Sequence, residues 1–295
     1  MSGFDSSSLV QFVFSGLTVG AVYAVVAIGF TLIYAASDVV NFAQGEFVML
    51  GGMATVFLAA SGVPLPVAAV LAIVISMIVG IALQRLALAK ASDASPVTLI
   101  IITLGASIFI KGVAGELFDK QSHSLPSIAG AQPMSIIGAS VLPQSVLMLG
   151  CAALMFAGLW VFLEKTVAGK AMRASAANRL SARLVGIDIS AMLLLAFALS
   201  AGLGALAGIL ITPVTLTRYD IGAMLALKGF SAAIFGGLGN PFGAVVGGLA
   251  LGLLEALAAG YLTSVYKDGV AFLGLILVLL VMPQGLFGSK LVDRV

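Results

Sequence analysis

A chain of 295 residues, 61% hydrophobic and 9% charged with a mean hydropathy of +1.20, carries too little polar surface for a water-soluble fold. Its formal net charge of +2 offers no basic field for a nucleic acid, and one cysteine and one histidine leave no disulfide framework or metal centre to assemble. The apolar runs are apolar on every side instead of alternating, which excludes a transmembrane β-barrel and predicts an all-α polytopic membrane helical bundle.

A bilayer core of ~30 Å takes about 20 helical residues. Residues 1–11 hold no Lys or Arg, and the apolar run 9–35 is too long for a cleaved signal, so it is expected to stay as the first span. Runs 42–60, 65–89 and 97–117 follow, then 144–163, 190–212, 221–238, 242–262 and 269–287, giving eight or nine apolar segments. Two of them look discontinuous or re-entrant. Segment 42–60 opens on Asn41, Gln44 and Glu46, and segment 221–238 is short, carries Lys228 and ends in a glycine-rich turn. Between the fourth and fifth runs, 118–143 reads as the long external loop, its Pro126, Pro133 and Pro143 favouring an ordered but irregular surface.

The connection 164–189 holds Lys165, Lys170, Arg173, Arg179 and Arg183, five of the fourteen Lys and Arg. A loop this basic stays cytoplasmic during insertion. Counting spans outward from it puts the N-terminus outside and the C-terminal tail, with Lys290 and Arg294, inside. Good helix formers predict helices over 170–177 and 179–185, with Gly186 as the stop. Such a loop suits docking on a soluble partner. The whole of 1–295 then reads as one transmembrane domain.

No catalytic set and no cofactor motif is present. Residues 285–290 fail the spacing of a phosphate loop. The informative residues are polar ones inside apolar runs. Asn41 and Gln44 have the spacing of a capping box, and Glu46 would sit in the first helical turns, where a carboxylate is favoured. The same helix start would present Asn41, Gln44 and Glu46 to a solute pathway. Lys228 is expected to reach the interface or pair with Asp220. Glu255 lies well inside an apolar run and should face the bundle interior or a water-filled cavity. Gly239, Gly243 and Gly247 recur every four residues, as do Gly248 and Gly252, Gly16 and Gly20, and Gly204 and Gly208. Such ridges predict close helix packing more than solute contact.

The stretches GLTVGAVYAVVAIGFTLIY and NFAQGEFVMLGG, the loop RASAANRLSARLVGID with FALSAGLGALAGIL after it, and LALKGFSAAIFGGLGNPFGAVVGG resemble, in order, the LivH-type permeases of branched-chain amino acid ABC importers. Gln44, where His is common, and Gly229, where Ala is usual, depart from that family's pattern. The resemblance implies a permease subunit of the bacterial inner membrane that carries branched-chain amino acids or a related small polar solute. It implies as partners a second related permease, two cytoplasmic ATPase subunits that hydrolyse the ATP, and a periplasmic solute-binding protein docking on 118–143. The loop 164–189 would be the coupling element, with Arg173, Asn178, Arg179, Arg183 and Gly186 at or near the ATPase contact. A reading from another class is a self-sufficient transporter or channel driven by an ion gradient, with Glu46, Lys228 and Glu255 as its ion or proton sites.

Overall fold

The computed structural model describes residues 6–91, 94–130, 132–136, 139–262 and 266–288. The expected tail cations Lys290 and Arg294 lie outside these. Among the described residues the apolar runs become helices: α1 (Ser6–Ser37), α2 (Gln44–Ala60), α3 (Leu65–Leu83), α4 (Pro96–Leu117), α5 (Pro143–Lys165), α8 (Ile189–Thr215), α9 (Ile221–Gly236), α10 (Pro241–Tyr261) and α11 (Lys267–Val281). Two short helices, α6 (Val167–Ala177) and α7 (Arg179–Leu184), form the basic connection. Among the described residues six helices are long and apolar enough to cross a membrane: α1, α3, α4, α5, α8 and α10. The other three apolar helices are short, with 17 residues in α2, 16 in α9 and 15 in α11. The first two are the segments that the sequence marked as discontinuous or re-entrant, the second of them also as short. The third was expected to run to Phe287, but it stops at Val281 and the chain turns, with Leu286 and Phe287 donating to the carbonyls of Phe235 and Gly236.

Helix α1 is the axis of the bundle, because a helix that is apolar all round has no face to give to water. From Ala21 to Ile33 nearly every side chain is buried. In a membrane nothing drives two apolar helices together except packing, so close approach depends on small residues. A Cβ on Gly252 of α10 would lie 2.4 Å from the Gly20 Cα of α1, and one on Gly248 would lie 2.3 Å from the Ala24 nitrogen. On the other side, a Cβ on Gly208 of α8 would meet the Val48 carbonyl of α2 at 1.9 Å. The ridges are therefore interhelical seams: α1 against α10, α2 against α8, and α9 against α10. Helices α3, α4 and α5 wrap this centre and turn large apolar side chains outward, among them Val70, Ile78, Ile108, Phe109 and Leu154.

The long loop after α4 carries structure that the sequence did not announce. Strands β1 (Met134–Ile136) and β2 (Ala139–Val141) pair antiparallel, with Met134 opposite Val141. The Gln11 amide holds this hairpin on α1, donating to the Ser140 carbonyl and accepting from its N–H, both at 2.8 Å. A backbone bridge between His123 and Thr217 ties the same loop to the α8–α9 connection.

Candidate translocation and coupling sites

The start of α2 lies inside the bundle. Asn41, Gln44 and Glu46 are 0%, 0% and 1% exposed. The expected capping box does not form. Helix α2 has no side-chain cap, and Asn41 Oδ1 instead accepts from the Ala43 N–H at 3.1 Å. Gln44 is drawn to another helix: its Oε1 accepts from Ser200 Oγ at 2.6 Å, and its Nε2 donates to the Ser200 carbonyl at 3.2 Å. Interhelical bonding wins because a buried amide has four hydrogen-bonding sites to satisfy and no water to do it.

Helix α4 covers this start with a polar face. Thr103, Ser107 and Lys111, spaced by four, lie on one side of a mostly apolar helix. Thr103 Oγ1 accepts from the Phe42 N–H at 3.2 Å, and Ser107 donates to Glu46 Oε1 at 2.8 Å. Glu46 Oε2 is buried without a hydrogen-bond partner, as is Asn41 Nδ2. None of Thr103, Ser107 and Lys111 was singled out by the sequence analysis. Their four-residue spacing was the available signal.

Lys228 and Glu255 come together in a second cluster, on the seam of α1, α9, α10 and α11. Lys228 neither reaches the interface nor pairs with Asp220, which is taken by Arg218, with Nη2 on Oδ2 at 2.8 Å. Its ammonium lies 2.8 Å from Glu255 Oε1, 2.7 Å from Asp268 and 3.0 Å from the Tyr23 hydroxyl. Tyr23 in turn donates to Glu255 Oε2 at 2.8 Å, and Lys267 approaches Oε1 at 3.4 Å. Two cations and two anions thus balance at a depth where a lone charge would cost several kcal/mol. Tyr23 and Asp268 were invisible to a reading of apolar runs, because each is a single polar residue on a different helix.

The three glycines singled out for packing divide. Gly243 and Gly247 lie on the α9–α10 seam, where a Cβ would stand 2.3 Å from the Gly236 carbonyl and 2.1 Å from the Ala232 carbonyl. Gly239 does not pack helices. It lies in the turn before α10 at φ +93°, and its role is the left-handed backbone that a Cβ disfavours. At position 229 a Cβ would meet Val26 Cγ1 at 2.3 Å, so here glycine suits a tight α1–α9 contact.

The basic connection folds as its composition suggested. Thr166 caps α6 and Asn178 caps α7, its Oδ1 accepting from the Ser181 N–H at 2.9 Å. Gly186 at φ +86° closes α7 in a Schellman turn, with its own N–H on the Arg183 carbonyl and that of Ile187 on the Ala182 carbonyl, both at 3.0 Å. Arg173 pairs with Glu164, and Arg179 reaches Asp38 at 2.9 Å and the Ala36 carbonyl at 3.2 Å, anchoring the connection to the end of α1. Arg183 stands exposed among Leu180, Leu184 and Val185, which are 70%, 81% and 76% exposed.

A sequence model of the family described as branched-chain amino acid transport system, permease component, matches residues 12–281. The chain belongs to that permease family. The high-affinity branched-chain amino acid transport permease LivH of Escherichia coli K12 is 35% identical over 97% of both chains. BraD of Pseudomonas aeruginosa, of the same description, is 33% identical over 95% of this chain and 96% of its own. A probable LivH of Methanocaldococcus jannaschii is 30% identical over 89% and 87%. The match to the family spans the α2 start, the ion cluster and the basic connection, so all three belong to the body of a multi-pass membrane permease.

Proposed function

We propose that this permease is the membrane subunit of an ATP-driven importer of branched-chain amino acids in the bacterial inner membrane, assembled with a second permease copy or relative. Two cytoplasmic ATPase subunits and a periplasmic binding protein complete the assembly. The observation that carries the coupling is the α6–α7 connection: two capped helices anchored on α1 through Arg179, with Arg183 and a bare apolar patch turned outward. An exposed patch of this kind beside a cation marks a protein contact. In this reading the connection and the C-terminal tail face the cytoplasm, and 118–143 with its hairpin faces the binding protein. Asn41, Gln44 and Glu46 line the route at the discontinuous start of α2, under the polar face of α4. Lys228 and Glu255 hold four helices together beside it. A gradient-driven carrier is less favoured, since Lys228 and Glu255 neutralise each other.

The test is Arg183→Glu in the reconstituted complex. Arg183 makes no ion pair among the described residues, so its reversal should leave insertion and melting temperature unchanged while abolishing leucine uptake and solute-stimulated ATP hydrolysis. Wild-type uptake in that variant would refute the coupling role. Full uptake by the permease alone in liposomes would refute the ATP-driven reading.

A further inference from the structure

At the end of the bundle that carries the hairpin, a recess of about 310 Å³ opens over the start of α9. Thr215, Thr217, Arg218 and Asp220 give it polar walls, and Leu216 and Met224 give it an apolar one. Its chemistry is bipolar. Arg218 and Asp220 set opposite charges side by side, half-exposed and bonded to each other. Asp220 occupies the position before α9 yet makes no capping bond, and the Ile221 N–H donates to the Arg218 carbonyl at 3.2 Å. The wall is also strained. Leu216, 48% exposed, holds φ +64°, a backbone conformation that is strained for any residue but glycine.

Beyond the recess, α9 packs on the start of α2. Gly222, two residues past Asp220, packs on Gly45 and Glu46 so closely that a Cβ there would stand 2.6 Å from Glu46 Oε2 and 2.8 Å from the Gly45 carbonyl. That oxygen is the buried acceptor without a partner. The backbone bridge from His123 to Thr217 fastens the external loop to the rim, so a partner gripping that loop would act directly on the recess.

We propose that this recess receives the solute as a zwitterion: Arg218 takes the carboxylate, Asp220 takes the ammonium, and Leu216 and Met224 take an aliphatic side chain. The inference rests on the reading of the chain as an amino-acid permease and adds the place where it first holds its solute. The Arg218–Asp220 bond is then a placeholder that the solute exchanges for two of its own.

The experiment measures radiolabelled leucine bound by the purified complex of permease and ATPase subunits before the binding protein is added, with uptake by the complete transporter followed beside it. The competitors are 4-methylpentanoate, which lacks the ammonium, and 3-methylbutylamine, which lacks the carboxylate. In the wild type both should compete at least about tenfold more weakly than unlabelled leucine, the weight of one charge-assisted bond. Asp220→Asn keeps the hydrogen bond to Arg218 and should erase the penalty for 4-methylpentanoate alone. Arg218→Gln should erase it for 3-methylbutylamine alone. A merely structural pair would weaken all three compounds equally and lower the melting temperature, and that result, or unchanged selectivity in both variants, would overturn the proposal. A wild-type complex that transports no leucine would instead overturn the amino-acid reading, and this inference with it.

Discussion

Replacing Gly247 by Ala asks whether the glycine ridge of α10 is a seam or a solute wall. The added Cβ would lie 2.1 Å from the Ala232 carbonyl oxygen of α9, with the Gly236 nitrogen at 2.8 Å. Ordinary carbon–oxygen contact begins near ~3.3 Å, so the two backbones must part by roughly 1 Å. Neither contact is a side chain that can rotate aside. Overpacking of this kind costs about 1–3 kcal/mol, and the upper end applies where backbone is struck. Against it stands the better helix propensity of Ala over Gly, worth about 1 kcal/mol. The net expectation is a loss of about 1–2 kcal/mol for Ala, growing through Val to Leu. Gly158 of α5 is the control, being helical, exposed and with nothing within 4 Å of an added Cβ. There only the propensity gain remains, and Gly158→Ala should hold or raise stability. The assay is detergent melting of the purified complex beside leucine uptake, with roughly 2–4 °C expected per kcal/mol. Equal melting of the two Ala variants would refute the seam. Graded loss of uptake at constant melting temperature would make Gly247 a pathway residue.

Lys228→Met should destabilise strongly, by about 3–5 kcal/mol, since it strands Asp268 and leaves Glu255 only the Tyr23 hydroxyl and the longer contact to Lys267. Adding Glu255→Leu should cost less than the two single losses combined, and additive losses would show that the two residues act independently. Outside the spans, Asp119 accepts from the His123 ring, and that bond holds its carboxyl below the ordinary 3.8. A depressed carboxylate stabilises fully above its unfolded value and loses the effect as pH falls through the folded one. The tie is therefore intact at neutral pH and released only in acid below the usual Asp range. His123→Ala should move the Asp119 titration back up in an NMR pH series, and an unmoved titration would break the assignment.

The membrane class, the approximate limits of most apolar segments and the shortness of α9 follow from sequence alone, because span length and all-round apolarity are local properties of a helix in lipid. The helices of the basic connection and its stop at Gly186 follow for the same reason, as capping and the left-handed glycine involve neighbours a few residues apart. The glycine ridges announced close approach as well, but a ridge does not say which helix it meets. Only the tertiary structure sent Gly248 and Gly252 to α1, Gly208 to α2 and Gly247 to α9, and removed Gly239 from that set. It alone joined Lys228 to Glu255 across 27 residues and Tyr23 to Glu255 across 232, and set Gln44 on Ser200 instead of on its own helix end. Buried polar groups in lipid must find partners wherever the fold brings them, and a pairing between distant helices leaves no periodic trace in either one.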